Sequence, residues 1–187
     1  KRMLDILIAF LGLIFTLPIV CFALLLTALE SGFPMFFSQN RTGFLGQPYI
    51  LFKIRTMRVN AEEKNAKWAE ENDNRVTVVG SFLRKWRIDE IPQFWNVIKG
   101  EMSIVGPRPE RPEFQEQLIK KVPHWNCRHL VKPGLTGWAQ IKFRYASDME
   151  SSEEKLAYDL YYIKHASILM DIQIILSTLR SLAKGSR

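Results

Sequence analysis

The stretch LRKWRIDEIPQFWNVIKGEMSIVGPRP, from Leu83 to Pro109, sets two adjacent carboxylates, Asp89 and Glu90, among Arg84, Lys85 and Arg87. The neighbouring cations favour the ionised form of both acids. Consecutive residues on a helix project about 100° apart, so the two carboxylates do not converge on one point. That spacing suits two separate roles: one group to attack or to bind metal, the other to orient or tune it. Pro92 stands where the start of a helix tolerates proline. A bare acid pair is also a common exposed helix start, so its meaning comes from what surrounds it. In GPRP (Gly106–Pro109) Arg108 lies between two prolines, which fix φ and restrict the residue before each. An arginine presented so rigidly suits bidentate recognition of phosphate. The segment VKPGLTGWAQI (Val131–Ile141) adds Lys132 beside a Pro-Gly turn, and Lys53 and Arg55 alternate with Phe52 and Ile54 on a strand, sharing one face.

Other chemistries find less support. No G-x-x-x-x-G-K-[ST] is present, so the P-loop route to phosphate is excluded. His124, Cys127 and His129 lack a second C-x-x-C or H-x-x-x-H partner, so no structural zinc is expected. No Ser-His-Asp order stands out. The 187 residues carry a net charge of +7, which calls for an anionic partner: nucleic acid, lipid headgroups or a phosphorylated substrate. No nucleic-acid-binding motif accompanies the charge, and no nucleic-acid partner is expected. Two cysteines, Cys21 and Cys127, do not make a disulfide framework, and a reducing compartment is the default.

The elements that must position these groups begin with MLDILIAFLGLIFTLPIVCFALLLTAL, Met3 to Leu29, whose only charge is Asp5. Roughly 20 apolar residues span a bilayer as a helix, so the run is long enough. It is too long for the apolar region of a signal peptide, and no A-x-A-like site follows. Pro18 near its middle predicts a bend. Lys1 and Arg2 precede the run and a basic chain follows it, and positive residues favour the cytoplasmic side. A helix that enters, bends at Pro18 and returns keeps both groups there; a straight crossing is the alternative. Residues 1–30 are thus expected to form a membrane-embedded helix, and 31–187 a catalytic domain on the cytoplasmic face.

The expected fold is α+β, mostly α. FPMFFSQNRTGFLGQPYILFKIRTM predicts a β-hairpin, with strands near Pro34–Gln39 and Tyr49–Thr56. Asn60–Arg75 is highly charged and predicts an exposed helix and loop. Ser81–Ile88 has the pattern of a basic amphipathic helix at a membrane surface. Pro109–Pro123 predicts a short helix bounded by prolines. Ser151 and Glu154 form a capping box that opens a helix, and Ile168–Lys184 predicts a final amphipathic one.

Together, Pro18, FKIRTM (Phe52–Met57), the Leu83–Pro109 stretch, KPGLTGWAQI and YDLYYIKHASILMDIQIILSTL resemble the bacterial sugar transferase family, the monotopic polyprenyl-phosphate phosphoglycosyl transferases. The resemblance covers nearly the whole chain in order. Ile54 stands where the family usually has Phe, and Leu17 precedes Pro18 where some members have Ser. The resemblance implies transfer of a sugar-1-phosphate from a UDP-sugar to a polyprenyl (undecaprenyl) phosphate, with release of UMP. It implies Mg²⁺, a covalent phosphosugar intermediate on Asp89, and Glu90 as its partner. Asp89 is also the expected metal ligand. Lys53, Arg55, Arg84, Arg108, Arg128 and Lys132 are the expected substrate-binding cations. Anionic lipids of the bacterial inner membrane are expected partners, and a homo-oligomer is left open. The reaction would be the first membrane step of surface polysaccharide or glycoconjugate assembly. Such a site needs cations beside the acids and apolar residues that bring both to the lipid headgroups. The start at Lys1 rather than Met fits the catalytic portion of a longer family member. The non-enzyme alternative is a basic membrane-surface binding module, which leaves the acid pair and GPRP without a purpose.

Overall fold

The structure, a computed structural model, describes residues 1–61, 73–143 and 149–183. The charged segment Asn60–Arg75 falls largely outside them. Helix α1 runs Arg2–Ser31 and continues through Pro18. Its length and composition would allow it to cross a membrane. Spacings of four and fourteen turn Asp5, Ala9, Ala23 and Thr27 onto one buried stripe. The opposite face leaves Phe10, Ile14, Phe15, Phe22 and Leu29 exposed.

Both ends of α1 are tied to the rest of the protein. At the first end, the Arg2 guanidinium donates to the carbonyls of Val97 and Ile98, at 2.6 and 2.9 Å. The Asp5 carboxylate accepts from Ser103 Oγ and the Ile104 amide, and Lys1 Nζ pairs with Asp171 at 2.6 Å. At the other end, the Glu30 carboxylate accepts from the amides of Val78 and Val79. Those amides open α2 (Val78–Lys85), where a carboxylate is favoured by the helix dipole. Arg55 closes the same end by donating to the carbonyls of Ser31 and Gly32 at 2.8 and 2.7 Å. Midway, a Cβ at Gly12 would lie 2.8 Å from the Phe94 ring, so the helix needs glycine to approach it.

Strands β1 (Phe36–Thr42) and β2 (Pro48–Ile54) form the expected antiparallel hairpin, with Phe37 opposite Lys53. Its turn is a 3₁₀ segment, Phe44–Gly46. Helix α2 starts three residues earlier than its apolar spacing predicts and stops at Lys85, because Arg87 adopts a left-handed φ of 52°. Asp89 and Glu90 therefore sit in a separate 3₁₀ turn, Ile88–Glu90, ahead of α3 (Gln93–Lys99).

Strand β3 (Ser103–Val105) pairs in parallel with β4 (Gly134–Thr136), which brings the GPRP and KPGLTG segments together. Glycines make that approach feasible: a Cβ at Gly106 would meet the Lys132 carbonyl at 2.3 Å, and one at Gly134 the Gly106 amide at 2.1 Å. Helices α4 (Pro112–Lys121) and α5 (Trp138–Lys142) flank this pair, and α6 (Met149–His165) and α7 (Ile168–Ala183) close the domain. Helix α6 opens two residues before Ser151, whose side chain lies outside what is described. The main core gathers Val97, Met102, Val105, Tyr162 and Ile174; a second cluster joins Leu118, Val122, Trp125 and Leu156. A third, Ala23, Ile54 and Leu83, locks α1, β2 and α2 beside the acid pair.

Candidate active site

Three short elements meet at the acid pair. Strand β2 brings Lys53. Its strand face also carries buried Tyr49 and Leu51, so this lysine points inward rather than into solvent. Its ammonium lies 5.1 Å from the centre of the Phe37 ring on the partner strand. Helix α2 brings Arg84, anchored beside buried Leu83, with Nε donating to Thr56 Oγ1 at 2.8 Å. The loop after β3 brings Arg108.

The two carboxylates stand in different surroundings. Glu90 Oε1 accepts from Arg108 Nη2 at 2.6 Å, and its Oε2 pairs with Arg87 at 3.3 Å. Burial works to raise the Glu90 pKa, but Arg108 and Arg87 outweigh it and hold the group well below the usual carboxylate range. Asp89 is only 6% exposed. No described residue hydrogen-bonds or pairs with its carboxylate, although Lys53, Arg84 and Arg108 lie close enough to attract it. Burial and the Glu90 charge push its pKa up, and those three cations only partly offset them. Lys53 is lowered to about 8 by burial, against the pull of Asp89. The arrangement is a desolvated carboxylate that no described residue pairs with, beside a second one locked in ion pairs. A free carboxylate of this kind can attack an electrophile or ligate a cation.

Of the expected cations, the fold brings Lys53, Arg84 and Arg108 together with Asp89 and Glu90. The other three point elsewhere. Arg55 lies one residue beyond the end of β2 and closes the end of α1, so it does not share the Lys53 face. Arg128 is buried, pairs with Asp159 at 2.7 Å and donates to the Arg108 carbonyl at 2.9 Å. Lys132 Nζ lies 3.6 Å from where a Cβ on Gly100 would be, with Arg2 beside it at the end of α3. His129, one of the zinc-type residues, makes a 3.2 Å contact with Gln115.

The sequence reading passes over Asn96, which fixes the site's framework. From a buried position on α3 its amide donates to the Ile50 carbonyl at 2.6 Å and accepts from the Phe52 amide at 3.2 Å. This holds β2, and with it Lys53, against the helix that follows Glu90. An asparagine inside a helix is disfavoured, and that was the available signal. Arg41 is a second omission: it donates to the Pro109 carbonyl at 2.9 Å and sits among other cations, and burial with Arg108 nearby lowers it to about 10.

The sequence itself has relatives among known proteins. The chain is 42% identical over 185 residues to the UDP-N-acetylgalactosamine-undecaprenyl-phosphate N-acetylgalactosaminephosphotransferase of Aeromonas hydrophila, covering 99% of this chain and 44% of that protein. It is 43% identical over 180 residues to the UDP-glucose:undecaprenyl-phosphate glucose-1-phosphate transferase of Escherichia coli (strain K12), covering 95% of this chain and 39% of that protein. A Caulobacter vibrioides protein with the same description as the latter is 38% identical, with 97% of this chain and 69% of that protein covered. The chain thus spans less than half the length of the first two. The family described as bacterial sugar transferase matches residues 1–185. With that match over nearly its whole length, the chain belongs to the bacterial sugar transferase family.

Proposed function

We propose that this chain is the catalytic portion of a phosphoglycosyl transferase that moves a sugar-1-phosphate from a UDP-sugar to a polyprenyl phosphate. The observation that carries the reading is the asymmetry of the acid pair: Asp89 is buried with no described residue hydrogen-bonded or paired to its carboxylate, while Glu90 is held by Arg108 and Arg87. In the first step an Asp89 carboxylate oxygen attacks the sugar-proximal phosphorus. The bond from that phosphorus to the bridging oxygen breaks, and UMP departs with the electron pair. An acyl phosphate now links Asp89 to the sugar. In the second step an oxygen of the polyprenyl phosphate attacks the same phosphorus. The Asp89 carboxylate is released and polyprenyl diphosphate sugar forms. Lys53, Arg84 and Arg108 would face the charge that develops on the phosphoryl oxygens. Both products of this chemistry, UMP and the lipid-linked sugar, are consistent with the substrates named for the relatives.

Mg²⁺ is typically held by one or two carboxylates together with substrate phosphates and water. Asp89 fits as such a ligand, being a buried carboxylate that no described residue pairs with. When bound, the ion would offset the charge of the diphosphate.

A polyprenyl acceptor requires the site at a bilayer surface. We infer a re-entrant α1 on the cytoplasmic face of the bacterial inner membrane. Support comes from the two ends of α1, which are both tied to the same folded domain, and from its exposed apolar face. Phe82 and Trp86, exposed around the end of α2, add apolar surface next to Lys85 and Arg87. The test is UMP release from a panel of UDP-sugars in vesicles containing undecaprenyl phosphate. Continuous UMP release that needs donor, lipid phosphate and protein together, with no more than about one equivalent per protein formed without the lipid, supports the reading. No UMP from any donor leaves the non-catalytic membrane-surface module in its place.

A further inference from the structure

We propose that Asp159 is a positioning residue for Arg108, acting through Arg128. The proposal rests on Arg108 as a phosphate-facing cation in the reading above. Pro107 and Pro109 flank Arg108 and have no N–H, so the loop offers few backbone donors by which it can be pinned. It is held instead by its carbonyls, each from a different element. The Pro107 carbonyl accepts from the Gly134 amide at 2.9 Å. The Arg108 carbonyl accepts from Arg128 Nη2 at 2.9 Å, and the Pro109 carbonyl from Arg41 at 2.9 Å.

Of these three donors, Arg128 is the one hydrogen-bonded to a remote buried carboxylate. Its Nη2 also donates to Asp159 Oδ2 at 2.7 Å, and both side chains are almost fully buried. Its guanidinium lies 4.4 Å over the Trp125 ring. Asp159 and Lys155 are one turn apart on α6 and face the same way. Lys155 pairs with Glu110, two residues beyond Arg108, and Glu110 in turn lies 3.7 Å from Arg128. Helix α6 therefore grips the segment Arg108–Glu110 from behind with two charges, while the Arg108 side chain reaches Glu90 in front. A buried ion pair is weak evidence for stability in its own right; fixing geometry is the better-supported use. Here the geometry fixed is the backbone from which the Arg108 guanidinium extends.

The test uses Asp159→Asn, which keeps the shape and removes the charge, and the pair Arg128→Met with Asp159→Leu, which leaves no buried charge unmatched. The first readout needs no turnover. Phenylglyoxal modification of Arg108 is followed by mass spectrometry, relative to exposed Arg58, in protein without substrate. We expect both variants to modify Arg108 several-fold faster, as its contact with Glu90 loosens. The second readout is kcat/KM, alone and combined with Arg108→Lys. We expect Asp159→Asn to lose about tenfold to a hundredfold, in line with the cost of a small misplacement. In the Arg108→Lys background the same change should add little. Unchanged Arg108 modification in folded variants, or losses that simply multiply, overturn the proposal. Failure of both variants to fold also counts against it, since the pair would then serve the fold. If the wild-type chain transfers no sugar phosphate, the proposed function falls, while the modification rates still decide the positioning.

Discussion

Arg108 Nη2 meets Glu90 Oε1 at 2.6 Å, joining a loop that follows β3 to a turn that precedes α3. This contact uses only one edge of a forked guanidinium, and Arg108 remains 42% exposed at its side chain. No described residue is hydrogen-bonded to its remaining donors, so in the proposed reaction they can meet an incoming phosphate. Glu90 holds one edge of the fork, which in the proposed mechanism leaves Asp89 as the nucleophile. Replacing Arg108 with Lys keeps the charge and loses the fork. We expect kcat/KM to fall about tenfold or more, matching roughly 1.5–3 kcal/mol for a charge-assisted hydrogen bond. Steady-state kinetics with a UDP-sugar checks this; an unchanged value would make Arg108 a purely structural residue.

Lys53 and Asp89 should each cost the fold stability at neutral pH. The Lys53 pKa is lowered to about 8, below its value in the unfolded chain. The unfolded state therefore binds more protons above that value, and this group's contribution to stability improves as pH rises through it. The Asp89 pKa is raised, so its contribution is favourable in acid and is lost as pH rises through the folded value. Lys53→Met and Asp89→Asn are expected to abolish turnover yet raise the unfolding midpoint by about 2–4 °C, equivalent to about 1 kcal/mol in a domain of this size. The gain from Lys53→Met should shrink in alkaline buffer. Thermal denaturation across pH checks both, and lowered midpoints at neutral pH would contradict the assignment of strain to these groups.

Gly106 should tolerate no side chain. Its Cβ would press on the Lys132 carbonyl at 2.3 Å, and that atom is backbone two residues before β4. Gly106→Ala is expected to destabilise by about 1–3 kcal/mol, as overpacking does. It should also separate Arg108 from Glu90, so activity falls further than stability alone predicts. Denaturant unfolding and kinetics on the same preparation measure both.

A re-entrant α1 predicts that both its ends face the same side of the membrane. Single cysteines placed before Met3 and after Leu29, with Cys21 and Cys127 replaced by Ser, should both resist an impermeant thiol reagent in intact cells. Pro18→Ala restores one helix hydrogen bond and should shift part of the population to a crossing topology. Labelling of the first cysteine from outside in the otherwise native sequence would show that α1 crosses.

Much of the site was legible because its chemistry is local. The acid pair, the proline-bounded arginine and the Pro-Gly turn are each contiguous, and the hairpin announces itself by alternation and glycine. The fates of Arg55 and Arg128 were not legible. Both look like free cations along the chain, yet Arg55 closes α1 and Arg128 finds Asp159 across 31 positions of sequence. Long-range pairing of charges leaves no periodic trace. The inward turn of Lys53 was hidden for a similar reason: alternation says which residues share a face, while the packing of Tyr49 and Leu51 decides which face is covered. The break after α2 depends on one left-handed residue, Arg87, a conformation that its side chain does not favour and that nothing in the local pattern marks.

Asp89 as the nucleophile is open to a direct check through the intact mass of the protein. Wild-type protein incubated with a UDP-sugar and Mg²⁺, in the absence of polyprenyl phosphate, should gain the mass of one sugar phosphate. Peptide mapping should place the adduct on Asp89, and added undecaprenyl phosphate should discharge it. Asp89→Asn should gain nothing. An adduct that persists in Asp89→Asn, or turnover by that variant near the wild-type rate, would contradict the central claim.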